Sequence, residues 1–173
     1  MTDARRPRFE HVLVTGGAGF IGSCFVRDLL ARRDGSRVSV LDKLTYAGNR
    51  ANLAPVEADP EQASRLRFVV GDIADPAVVA PLVAECDAVV NFAAESHVDR
   101  SILDPEAFLR TDVLGVHILL EACRAEQERV RAGDRALVDE RGESRIAAGD
   151  LAAAALDELE QNRFPGQRFT AGY

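Results

Sequence analysis

The sequence predicts an α/β fold: a parallel sheet of about four strands with helices on both faces, and one more strand near the C-terminus. Three observations predict it. A glycine-rich turn joins an apolar run to a helical pattern over His11–Gly22, HVLVTGGAGFIG. A second apolar run, Val38–Leu41, ends in an acid, Asp42. Short apolar runs then alternate with helical patterns along the chain, the mark of βαβ units.

The first run, Val12 to Val14, stops at Thr15, and glycines follow at Gly16, Gly19 and Gly22. Ile21, Phe25, Leu29 and Leu30 fall on one face of the helix that begins there. Strand, glycine turn and helix form the front half of a dinucleotide-binding unit, so the sheet is of Rossmann type, truncated. Gly16 allows the tight turn, Gly19 lets backbone approach a pyrophosphate, and Gly22 lets helix pack close to strand. The helix N-terminus offers free N–H groups to phosphates. Asp42 stands about 20 residues past the last glycine, where a carboxylate binds the adenine ribose hydroxyls. An acid there repels a 2′-phosphate, which favours NAD over NADP. The plain alternative is a structural glycine turn beside an ordinary strand-end Asp.

The 173 residues suffice for one good core, and one domain is expected. A net charge of −7 with no basic cluster argues against a nucleic-acid or anionic-membrane surface. No apolar run is long enough to span a bilayer. No apolar segment follows Arg5, Arg6 and Arg8, so a signal peptide is not expected. Cys24, Cys86 and Cys123 are odd in number and scattered, and read as reduced core thiols of a cytoplasmic protein. No His–Cys spacing suits a metal.

Taken in order, residues 1–9 are polar and expected to fray. The first strand and helix run over about 11–33, with Asp34-Gly35 as the stop. A second strand covers roughly 37–42, and a loop with two prolines and Gly48 follows. A third strand at Arg67–Val70 leads into Gly71-Asp72-Ile73. Asp75 caps a helix with Pro76 at its first position, and Pro81 should shorten or kink it. Ala88–Ala94 is a near-continuous apolar run, as in strands buried on both faces. Asp104-Pro105 starts a long helix with Phe108, Thr111, Gly115, Leu119 and Ala122 on one side.

The strings VTGGAGFIGS, LDKLTYAGN, GDI and FAAESHVDRS, in this order and spacing, closely resemble the dTDP-glucose 4,6-dehydratases, which are extended short-chain dehydrogenases. The resemblance covers about residues 9–125. It implies NAD held by Phe20 and Ile21 at the phosphates and by Asp42, Lys43, Leu44 and Thr45 at the adenosine. It also implies Asp72 and Ile73 beside the adenine. Phe92, Ala93, Ala94, Glu95 and Ser96, with Thr111, would line the nicotinamide side, and Ser96 would touch the hexose of a nucleotide-sugar substrate. In the family, hydride passes from sugar C4 to the cofactor, water leaves across C5 and C6, and hydride returns at C6. The helix at 105–130 matches one that contributes to a dimeric four-helix bundle, so a homodimer is implied. Asp112 departs from the family's Asn, and a carboxylate cannot donate as an amide does. On the residues alone, Lys43 and Tyr46 also read as solvated loop positions. His97, Asp99 and Arg100 read equally as a local structural network or as catalytic groups.

After residue 125 the resemblance stops. The superfamily's base is a Tyr assisted by a Lys in Tyr-x-x-x-Lys. This chain has one lysine, Lys43, and two tyrosines, Tyr46 and Tyr173, which cannot form that pair. No Thr-Asp-Glu run follows the fourth helix, so no catalytic residue is identifiable, and a sugar-binding lobe of ordinary size is not expected in the residues that remain. The expected organisation is an NAD-binding domain over 1–130 and a short helix–strand segment, 131–173, packing on the same sheet. GDLAAAALDELE and GQRFT in that segment resemble the NmrA-like NAD(P)H-binding proteins. Three readings follow: a dehydratase-type lyase, an NAD-binding module or sensor without turnover, or a truncated remnant.

Overall fold

The computed structural model describes residues 9–32 and 35–132. The chain divides into two compact units, Met1–Ala122 and Cys123–Tyr173. In the first unit four parallel strands form one sheet in the order β3-β2-β1-β4. These are β1 (His11–Thr15), β2 (Arg37–Asp42), β3 (Leu66–Val70) and β4 (Ala88–Asn91). Leu13 and Val14 of β1 pair with Ser39 and Val40 of β2 on one side and with Val89 and Val90 of β4 on the other. Central placement buries every residue of β1. Its one ring is satisfied there: His11 Nδ1 donates to the Glu85 carbonyl (2.8 Å), which leaves Nε2 to accept from Ser39 Oγ (2.9 Å).

From β1 the chain steps outward to β2 and β3, then returns across β1 to β4. Right-handed crossovers place α1 (Phe20–Ala31) on one face and α4 (Pro76–Ala84) on the other. The predicted two-faced parallel sheet is the fold observed. Asp75 caps α4 by accepting from the Ala77 N–H, with Pro76 first in the helix. Pro81 does not end it, since α4 continues to Ala84. Between β2 and β3 lie a 3-10 turn (Arg50–Leu53), α2 (Ala54–Glu57) and α3 (Pro60–Ala63), anchored by buried Leu53 and Val56.

Several expectations need correction. The buried face of α1 is Gly22, Ser23, Val26 and Leu30, with Phe25 and Leu29 half-buried beside it and Ile21 exposed. Helix entry on a glycine turn sets this phase, one step from the apolar reading. The fourth strand stops at Asn91 rather than Ala94. The Phe92 N–H still meets the Thr15 carbonyl (3.0 Å), but β1 has by then turned away and offers nothing further to pair with. Nor is β4 buried on both faces: among the described residues it is the sheet edge, with Val89 and Val90 half-buried and Asn91 exposed. Cys24 is an exposed thiol, whereas Cys86 and Cys123 are half-buried. Burial, with Glu85 and Asp87 beside it, pushes the Cys86 thiol up to about 12.

After α5 (Val98–Leu103), the single long helix expected from Pro105 is three pieces. These are α6 (Pro105–Phe108), a seven-residue π-helical stretch (Leu109–Gly115) and α7 (Val116–Ala132). Gly115 and Leu119 are buried and Phe108, Thr111 and Ala122 half-buried, so the inward stripe survives the wider turn. The C-terminal helix, closing strand and NmrA-like strings expected in 131–173 lie outside the described residues from 133 onward.

Arg65 fastens the sheet's N-terminal end. Its guanidinium donates to the Ser36 carbonyl (3.0 Å) and the Leu30 carbonyl (2.6 Å), and its Nε lies 2.9 Å from Glu61. Arg65→Met strips two buried carbonyls of charged donors and should cost about 1.5–3 kcal/mol. The urea midpoint should fall, while an unchanged midpoint would show the staple to be idle.

Candidate functional site

The strand order reverses between β1 and β4, and such switch points open a crevice at the carboxyl ends of parallel strands. Here the crevice is walled by the glycine turn, the loop after β2, the loop after β3 and the exit of β4.

The turn is dictated by space. Gly16 has φ +66°, and a Cβ on it would lie 2.5 Å from the Ala93 nitrogen. At Gly22 a Cβ would lie 2.3 Å from the Gly16 carbonyl oxygen, so the third glycine admits the turn itself rather than the strand. Gly19 precedes α1 without any side-chain cap. The Ser23 N–H bonds back to Gly19, while those of Phe20, Ile21 and Gly22 have no partner among the described residues. Three free donors at a helix N-terminus form an anion cradle.

Asp42 ends β2 and is buried. Its Oδ2 accepts from the Ala18 N–H (2.9 Å) and its Oδ1 from the Leu44 N–H (2.8 Å). The second bond holds Leu44 at φ +55°, the one described non-glycine residue in the left-handed region. Asp72 follows β3 and receives Lys43 Nζ (2.8 Å) and Arg110 Nε (3.4 Å) on one oxygen and the Ala74 N–H (2.9 Å) on the other. Burial raises its pKa, but the Lys43 and Ala74 hydrogen bonds, the Lys43 charge and Arg110 outweigh burial and hold the carboxyl below its usual range. On the opposite wall Asp112, inside the π stretch, accepts the Glu95 N–H (2.8 Å). The carboxylate therefore fills the acceptor role of the Asn that the resemblance implies at this position.

Of the residues expected at the cofactor, Gly16, Gly19, Asp42, Lys43, Thr45, Asp72, Ile73, Phe92, Ala93, Ala94, Glu95 and Thr111 line the crevice together. Phe20, Ile21, Gly22, Leu44 and Ser96 are outside its lining. Phe20 is 91% exposed and Ile21 64%, at the mouth rather than the wall. Leu41, Ala47, Gly48 and Gly71 also line it. Leu41 and Gly71 adjoin the predicted Asp42 and Asp72, whereas Ala47 and Gly48 come from farther along the loop after β2. Arg110 carried no local signal, because its partner Asp72 is far away in sequence. Lys43 is paired, and Tyr46 meets His97 with ring centroids 5.2 Å apart. Asp99 is exposed, and the side chain of Arg100 lies outside the described residues. Among the described residues no group of three or more His, Cys, Asp or Glu could hold a metal, and no helix is long and apolar enough to cross a membrane.

A family model described as GDP-mannose 4,6 dehydratase matches residues 13–133. The dTDP-glucose 4,6-dehydratase of Mycolicibacterium smegmatis is 54% identical over 119 residues, 69% of this chain and 34% of that protein. The low-salt glycan biosynthesis protein Agl12 of Haloferax volcanii is 59% identical over 111 residues, 64% of this chain and 34% of that protein. The chain spans about a third of the length of these curated relatives. Among solved structures it resembles DesIV, a dTDP-glucose 4,6-dehydratase from Streptomyces venezuelae crystallised with NAD and TYD. The TM-score is 0.61 at 56% identity, covering 67% of this chain and 36% of that one. The UDP-glucose 4-epimerase of Thermus thermophilus, solved with NAD, gives a TM-score of 0.55 at 32% identity, covering 87% of this chain and 51% of that one. With well over half its length matched, the chain belongs to the family that the description GDP-mannose 4,6 dehydratase names, and dTDP-glucose 4,6-dehydratases are among its relatives.

Proposed function

We propose that the crevice binds NAD and that the chain serves the dehydration of a nucleotide sugar of the dTDP-glucose type. One observation carries the reading: three N–H groups without a partner among the described residues start α1 directly after a glycine turn pressed against the exit of β4. That donor set suits a diphosphate, and NAD is the ligand named for the solved relatives. On this reading Phe20 and Ile21 meet the phosphates through their backbone. Asp42, Lys43, Leu44 and Thr45 hold the adenosine, with Asp72 and Ile73 at the adenine. Phe92, Ala93, Ala94, Glu95 and Ser96, with Thr111, face the nicotinamide, and Ser96 reaches the hexose. Bound NAD supplies a hydride acceptor and donor.

Proton transfer is another matter. These 173 residues contain no Tyr-x-x-x-Lys pair. The titratable lining of the crevice is Asp42, Lys43, Asp72 and Glu95; Asp42 is taken up by the Ala18 and Leu44 N–H groups, and Lys43 and Asp72 by each other. The chain by itself therefore binds without converting substrate. Leu109, Val113, Leu114 and Leu120, exposed along the helical stretch from Pro105, are the face on which a second copy would pair.

Denaturation with added NAD tests the cofactor assignment. Ligand at a hundredfold over its Kd should raise stability by about 2.7 kcal/mol, and NADP at the same concentration by less. In Asp42→Ala, NAD affinity should drop, with each lost charge-assisted bond worth about 1.5–3 kcal/mol. The free protein should weaken too, because Ala18 and Leu44 lose their acceptor. No stabilisation by NAD in the wild-type chain would end the reading, and release of 4-keto-6-deoxy sugar by the purified chain would end its non-converting part.

Asp112→Asn should leave NAD affinity intact, since an amide oxygen can also accept from Glu95. Asp112→Ala should lower affinity several-fold for NAD but not for ADP, which lacks the nicotinamide half. Equal losses for both ligands would refute placement of that loop on the nicotinamide side. Sedimentation should show a dimer that Leu120→Glu with Val113→Glu dissociates, and a monomeric wild type would dismiss the pairing face.

A further inference from the structure

The glycine turn is held from outside by a neighbouring loop. Ala18, fully buried, donates its N–H to Asp42 Oδ2, while its carbonyl accepts from both the Asn49 N–H (3.0 Å) and Asn52 Nδ2 (2.9 Å). The peptide joining Ala18 to Gly19 is gripped at both ends, because the Gly19 N–H donates to the Gly16 carbonyl (3.0 Å). Asn52 is well placed to hold firm. It sits in the 3-10 turn Arg50–Leu53, and Asn49 caps that turn by accepting from the Ala51 N–H (3.0 Å). Leu53 and Val56 root the turn in the core.

A glycine flanks the gripped peptide, and glycine permits a peptide flip that other residues resist. Flipped, the peptide would turn the Ala18 carbonyl oxygen to the side where the Gly19 N–H now meets the Gly16 carbonyl, and two facing carbonyls would push the turn ahead of α1 out of its present form. We propose that Asn52 is a positioning residue for the nucleotide's diphosphate: by fixing the Ala18 carbonyl it keeps the glycine turn in its anion-accepting form. This rests on the nucleotide reading given above and names a residue outside the crevice lining. Asn49 makes the same contact through its backbone, so Asn52 is where a side chain can be altered.

The test uses the full chain and two probes, ADP and adenosine, with affinities measured for wild type, Asn52→Ala and Asn52→Asp. Asn52→Asp keeps the shape but replaces the donor with a carboxylate oxygen. ADP affinity should fall about three- to tenfold in both variants, as for loss of one hydrogen bond. Adenosine, which has no phosphate, should bind within about twofold of wild type on the same scale. Equal losses for both probes would mean a merely structural role and would overturn the proposal, as would unchanged ADP affinity. Should either variant fail to fold, amide exchange in the wild-type protein decides: the Gly19 N–H should be protected with the strand amides before any ligand is added. Rapid exchange at Gly19 would overturn the clamp. A wild-type chain that binds neither ADP nor NAD would instead overturn the nucleotide reading, and the clamp's purpose with it.

Discussion

The backbone just past β4 runs so close to the end of β1 that the residue following Thr15 must be glycine. A Cβ on Gly16 would meet Phe92 and Ala93 backbone atoms at 2.5–2.7 Å, and the positive φ there already disfavours other residues. From this one close approach the rest of the site follows. The chain can turn within a few residues into α1, whose first N–H groups are left without partners. The segment after Asn91 becomes the opposite wall, although it carries no strand pairing beyond Phe92. Gly22 lies against the same carbonyl that closes the turn, which fixes where α1 starts and which of its residues face the sheet.

The polar residues around the crevice are held mainly by groups from other loops. Asp72 collects Lys43 from the β2 loop and Arg110 from the π stretch, so its carboxylate stays ionised in spite of burial. Asp112 holds Glu95 across from it. Asp42 holds both the glycine turn and Leu44. A crevice whose walls are tied in this way is formed in advance of its ligand, so less ordering remains to oppose binding.

What could be read from the sequence was what depends on near neighbours. The bounds of β2, the Asp75 and Asp104 caps, and the glycine turn between β1 and α1 all have local causes, and the structure reproduces them. What could not be read depended on contacts distant in sequence. The early end of β4 follows from where β1 turns away. The burial of Gly22, Ser23 and Val26 in place of Ile21 follows from the angle at which α1 leaves the turn. The π stretch breaks the 3.6-residue period on which the single-helix expectation rested, and no Pro or Gly marks its start at Leu109. Arg110 and Asn52 carry no local signal, because their partners, Asp72 and Ala18, lie 38 and 34 positions away.

The two backbone N–H groups on Asp42 bear on any attempt to redesign cofactor preference. The usual route to accepting a 2′-phosphorylated dinucleotide is to replace the acid at the end of the second strand with a small or basic residue. In this chain such a replacement would remove the acceptor that anchors the turn through Ala18 and the left-handed Leu44, so under the proposed cofactor role selectivity and scaffold would be coupled through a single side chain. A successful exchange would have to install another acceptor for the Ala18 N–H in the same step.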